Sequence, residues 1–139
     1  LSLIFYLHEY YVHFPIYGAF DWQATHKEMS EAVERERLNY EKVVVSTKFF
    51  QPHIFYALYT KMDPLDYQNQ MQTSLNKSGG SLDVVQLNNI EFRSIDWQVD
   101  QYLDDTLFLA TETDIPKDVE VKEKIEFPGG ETAWRVIGL

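Results

Sequence analysis

Apolar positions recur at helical spacing over residues 3–14, where Leu3, Ile4, Leu7, Tyr10, Tyr11 and Phe14 make one stripe. Pro15 is expected to end that helix, because the residue before a proline avoids helical backbone. Ile16 to Phe20 reads as an aromatic connector, and Asp21 as the N-cap of a second helix running to about Leu38. Trp22, Met29, Val33 and Tyr40 would be its apolar side, and Glu28, Glu31, Glu34, Arg35 and Arg37 its wet side. Lys42 to Thr47 is a short β-branched run that reads as a buried strand. A helix follows from Pro52 through Phe55, Leu58 and Tyr59, with the proline in its first turn. Asp63-Pro64 starts another, as cap and first turn, reaching about Leu75.

Ser78-Gly79-Gly80-Ser81 is a turn. Ile90 to Ile95 alternates as a half-buried strand, Gln98 to Tyr102 fits a helical turn, and Thr106 to Thr111 is a second buried strand. Val121–Phe127 and Ala133–Ile137 flank Pro128-Gly129-Gly130-Glu131 and read as a hairpin. Helices that alternate with strands point to an α/β fold. We expect a small layered sheet flanked by helices, parallel in its first part, with an antiparallel C-terminal hairpin. No internal repeat and no second domain is visible, so residues 1–139 read as a single soluble domain.

Composition narrows the chemistry. Twelve basic against twenty-two acidic side chains give a net charge of -10, and no cluster of lysine or arginine stands out. Nucleic acid is therefore not an expected partner, since phosphate binding needs a concentrated basic face. There is no cysteine, which excludes disulfides, thiolate metal sites and a cysteine nucleophile. The opening run Leu-Ser-Leu-Ile-Phe-Tyr-Leu is too short to span a bilayer, which takes about 20 residues. It also lacks the basic start and cleavage site of a signal peptide. Two readings stay open for residues 1–14: a core-packed first helix, or a stub continuing a preceding transmembrane helix.

Candidate chemistry is sparse. Neither glycine pair fits a phosphate-binding loop. His8 and His13 lie five residues apart, which on a regular helix separates the imidazoles by roughly 140°. No metal site is expected from them, or from the isolated His26 and His53. The pairs Asp63 with Asp66 and Asp104 with Asp105 fall at element starts, where capping accounts for them. What remains is the end of the first strand, where α/β sheets place ligands. Thr47, Gln51 and His53 could line a crevice there, although Thr47 and Gln51 equally well satisfy loop backbone. Tyr56 and Tyr59 belong to an aromatic stretch, Phe49 to Tyr67, that either stacks on sugar rings or fills the core.

One resemblance goes further than spacing. Phe14-Pro15, Trp22-Gln23, Val43 to Thr47, Gln51-Pro52-His53-Ile54-Phe55-Tyr56, Tyr59, Asp63-Pro64 and Tyr67-Gln68 follow one another in that order. Phe92 to Trp97 and Phe127-Pro128-Gly129-Gly130 come after them. The succession is similar to the C-terminal soluble domain of bacterial membrane glycosyltransferases of the protein-mannosyltransferase-like, dolichyl-phosphate-mannose type. His53 stands where that pattern more often has tyrosine. The resemblance implies an accessory domain on the extracytoplasmic side of the cell membrane. Its partners would be the transmembrane region of its own parent chain and a glycan or protein acceptor. The family's catalytic acid lies in the membrane region, so no catalytic residue and no cofactor is implied here. A stand-alone glycan- or peptide-binding module using the Phe49–Tyr67 aromatics, and a small hydrolase using Thr47 and His53, are the alternatives.

Overall fold

The structure is a computed structural model that describes residues 2–139. Its centre is one six-stranded sheet built from β1 (Lys42–Ser46), β2 (Val85–Leu87), β3 (Ile90–Arg93), β4 (Thr106–Ala110), β5 (Glu123–Glu126) and β6 (Thr132–Gly138). The strand order is β2-β3-β1-β4-β6-β5. β1 pairs in parallel with β3 and β4, and the remaining pairs are antiparallel. The protein is thus mixed α/β, parallel at its centre and antiparallel at its C-terminal strands.

Period-two alternation divides the core between the two sheet faces. Val43 and Val45 of β1, with Leu107 and Leu109 of β4, face α3 (His26–Glu36), α4 (Pro52–Tyr59) and α5 (Pro64–Lys77). Met29, Val33, Tyr56, Tyr67 and Met71 meet them from those helices. Val44, Phe108 and Ile137 point the other way, onto Ile95, Trp97, Leu103 and Ile115. That second layer consists of α6 (Trp97–Asp100) and irregular chain. Arg135 is buried there with no carboxylate partner among the described residues. Its guanidinium donates to the carbonyls of Ile115, Pro116 and Val119 at 2.8–2.9 Å, so backbone dipoles satisfy the charge and hold that segment against the sheet.

Several local expectations hold for stated reasons. Pro52 opens α4, and Asp63 caps α5 by accepting from the backbone N–H groups of Leu65 and Asp66 at 2.8 and 3.2 Å. Three need correction. Asp21 is not a cap, because 18–25 is a series of turns with Gln23 at a φ of 53° and the helix starts only at His26. Thr25 precedes it without a side-chain cap, and its hydroxyl accepts the Trp134 indole N–H at 3.1 Å instead. Val85–Leu87 is an edge strand where none was expected, turned onto β3 through Asn88 at a φ of 55°.

The third correction concerns Pro15. The N-terminal helix continues past it, as α1 (Ser2–His8), a π-helical turn (Glu9–His13) and α2 (Phe14–Tyr17). Proline lacks the N–H of the helix ladder and crowds the carbonyl four residues back. Here the ladder is already broken in the turn just before it, where the Phe14 N–H bonds to the Glu9 carbonyl five residues away.

Candidate functional site

The carboxyl ends of the parallel strands are where an open α/β sheet offers a crevice. In this domain they are closed by side chains bonded to one another. After β1, the Lys48 ammonium lies 2.9 Å from Asp114 Oδ1 and donates to Thr113 Oγ1 at 2.8 Å. The other oxygen of Asp114 accepts from both the backbone N–H and the hydroxyl of Thr111, each at 2.8 Å. At the end of β3, Arg93 grips Asp100 with two N–H groups at 2.9 and 2.7 Å, and the Asp96 N–H adds a third bond at 2.8 Å. Burial pushes the Asp100 carboxyl up, but Arg93 and the Asp96 N–H together outweigh it and hold the pKa below the usual range. Both carboxylates are paired with a basic side chain and bonded to backbone N–H groups, which is a structural role. A polar cavity of about 450 Å³ does exist, at the opposite, amino ends of β1 and β4, where the Lys42–Glu91 ion pair contributes to its wall.

The five residues singled out in the sequence are not gathered to one surface. Thr47 and Gln51 sit half-buried on the loop between β1 and α4, with Gln51 in left-handed backbone at a φ of 50° just before Pro52. His53 and Tyr56, three residues apart, turn inward from α4 onto the sheet and are only 5% and 2% exposed. Tyr56 donates its hydroxyl to Glu34, which also pairs with Arg37 at 2.6 Å. Desolvation and then Glu34 push that phenol far up, so it stays protonated. Tyr59 faces outward and lines a cavity of about 120 Å³ with Lys27, Glu31 and Thr60. Buried as they are, Tyr56 and His53 offer no ring face to a sugar stacked on Tyr59. Phe49 is likewise engaged, its ring 4.8 Å from Trp134 and 5.9 Å from Phe127.

His53 stacks parallel to Tyr67 and edge-on to Phe92, and its Nδ1 has no hydrogen-bond partner among the described residues. Desolvation pushes its pKa below the ordinary imidazole value. It does the same for His26, against a smaller opposing effect of the Gln23 carbonyl. The unfolded chain therefore takes up protons near pH 6.5 that the folded one refuses, and stability falls as the pH drops below about 6.5. His53→Phe should flatten part of that fall, leave the slope due to His26, and keep the neutral-pH stability within about 1 kcal/mol. Urea midpoints between pH 7.5 and 5.5 check this; an unchanged slope in the variant would contradict it.

The feature that stands out is the N-terminal helix. Not one residue from Ser2 to Tyr17 is buried, although Leu3, Ile4, Phe5 and Tyr6 alone cover every direction around its axis. The core-packed alternative for this segment is thereby set aside. Tyr6, Tyr10 and Phe14 stack in succession at 6.1 and 5.9 Å, and His13 stacks on Tyr17 at 6.0 Å. With Glu9 these residues line an open apolar groove of about 250 Å³. No helix among the described residues is long and apolar enough to cross a membrane.

The π-helical turn also corrects the reading of His8 and His13. Their rings do not diverge: the centroids are 5.0 Å apart, because a ladder closed over five residues brings positions five apart to the same side. Sequence spacing judged against a regular helix misses this pair, and the proline just beyond it is the one available signal of a broken ladder. No protein-family model, curated protein or solved structure significantly matches this sequence or fold.

Proposed function

We propose that this chain is the extracytoplasmic accessory domain of a membrane-embedded glycosyltransferase that uses a polyprenyl-phosphate-linked sugar. The observation that carries the proposal is the helix from Ser2 to Tyr17, which carries apolar side chains in every direction and buries none of them in its own domain. A helix that is hydrophobic all round belongs in an apolar surrounding. Tyr10, Tyr11, Tyr17 and Trp22, all exposed, are the residue types that settle at a membrane–water interface. The ordered motifs from Phe14 to Gly130 supply the transferase part of the reading, and the side-chain closure of the sheet's carboxyl edge agrees with it. A domain whose parent holds the acid/base chemistry in its membrane region needs no crevice of its own. In this reading the helix joins the domain to that region, and the domain stabilises it or shapes the approach of a glycan or protein acceptor.

The rival readings have less support. A glycan-binding platform over Phe49–Tyr67 would lose Phe49, His53 and Tyr56 to the core, and a hydrolase at His53 would have to work with a buried imidazole. The gene upstream of the Leu1 codon tests the proposal. It should encode several apolar stretches of about 20 residues, with an acidic residue in an early extracytoplasmic loop. A parent chain without such stretches would overturn it.

A further inference from the structure

We infer that His8, Glu9 and His13 form a binding site for a divalent transition-metal ion of the zinc class. One ligand atom from each of the three side chains lies within 4.8 Å of the other two. The ligand set, two imidazoles and one carboxylate, is one that holds zinc while leaving a coordination position open. Imidazole nitrogen also selects zinc, copper and nickel over the oxygen-seeking magnesium and calcium. Ligand atoms around a tetrahedral zinc stand about 3.3 Å apart, given metal–ligand bonds of about 2.0–2.1 Å. His8 and Glu9 are exposed and His13 is half-exposed, so rotation of the side chains closes the remaining distance without disturbing a core.

The backbone supplies the geometric reason for this convergence. π-Helical turns are rare and occur often at functional sites, and this one is what brings His8 and His13 to the same side. Among the described residues, none of the three side chains is engaged in an ion pair or a side-chain hydrogen bond; their donor atoms are available. Glu9 and His13 also line the aromatic groove. A ligand completing the metal's coordination from that side would have the rings of Tyr10 and Phe14 beside it. The site is a property of residues 8–13 and does not depend on the transferase reading.

Cobalt(II) titration of the whole 139-residue chain in nonionic detergent, read by visible absorption, tests the inference, with zinc(II) calorimetry alongside. One equivalent should bind with a micromolar dissociation constant and give the visible bands of a nitrogen- and oxygen-ligated cobalt. Loss of outer-shell groups alone weakens metal sites about ten- to a hundredfold, so His8→Ala and His13→Ala should each weaken binding by at least about tenfold. Glu9→Gln should weaken it while keeping a changed visible spectrum. The helix packs on no core, so far-ultraviolet circular dichroism and the urea midpoint should stay unchanged in all three variants. Absence of both the bands and the zinc heat would overturn the inference. So would binding that survives in the His8→Ala/His13→Ala double variant, since it would then come from the general acidic surface.

Discussion

Trp134→Ala should cost about 3–5 kcal/mol, the range for emptying a buried aromatic site. Trp134 is the largest fully buried side chain, on the strand that pairs with both β4 and β5. Its ring is 4.8 Å from Phe49 and 5.7 Å from His26, and its N–H is the partner of Thr25 at the start of α3. Truncation opens a cavity between α3 and the sheet and leaves the Thr25 hydroxyl without its donor. Domains are stable by only about 5–15 kcal/mol, so the change removes a large share of the total. Trp134→Phe keeps most of the volume and loses the hydrogen bond, and should cost about 1–2 kcal/mol. Urea unfolding followed by circular dichroism reads both. An alanine variant within about 1 kcal/mol of the parent would show that the packing around Trp134 has been misjudged.

Replacing Leu3, Ile4, Phe5 and Leu7 together with serine should have the opposite profile. The four are 41–75% exposed, so the unfolding midpoint should move by less than about 0.5 kcal/mol. The interaction of the chain with apolar phases should collapse. Each such side chain contributes roughly 1.5–3 kcal/mol on leaving water. Immersion of only two of them contributes about 3 kcal/mol, which is about a hundredfold in partition. Equal unfolding midpoints alongside detergent-independent solubility of the serine variant alone would show that the helix is not part of the domain's core. A midpoint shift above about 2 kcal/mol would mean that the helix packs on the domain after all.

The central strands were legible because buried parallel strands are written as short continuous apolar runs, and Val43-Val44-Val45 and Leu107-Phe108-Leu109 have no competing period. Asp63-Pro64 was legible because cap and first-turn signals are local. Most of the failures are non-local. Thr25 hydrogen-bonds to Trp134, more than a hundred residues away, so the start of α3 could not be read from the nearest capping residue. β2 is three residues long and is a strand only because β3 lies beside it. The inward turn of His53 and Tyr56 depends on which side of α4 meets Phe92, and the sequence of α4 offers aromatics to both sides. At the sheet's carboxyl edge, Lys48 with Asp114 and Arg93 with Asp100 pair residues from separate segments, a closure that composition does not reveal. The proximity of His8 and His13 was hidden by the assumption of a regular helix.

The membrane-facing role proposed for the N-terminal helix is tested most directly by flotation with phosphatidylcholine vesicles. Zwitterionic lipid is the right choice, because a chain of net charge -10 is repelled by anionic headgroups and any binding must then be apolar in origin. The unaltered chain should float with the vesicles, equally at low and high salt, and the Leu3/Ile4/Phe5/Leu7→Ser variant should stay at the bottom of the gradient with its domain folded. An unaltered chain that remains at the bottom as a soluble monomer would contradict the role proposed for this helix.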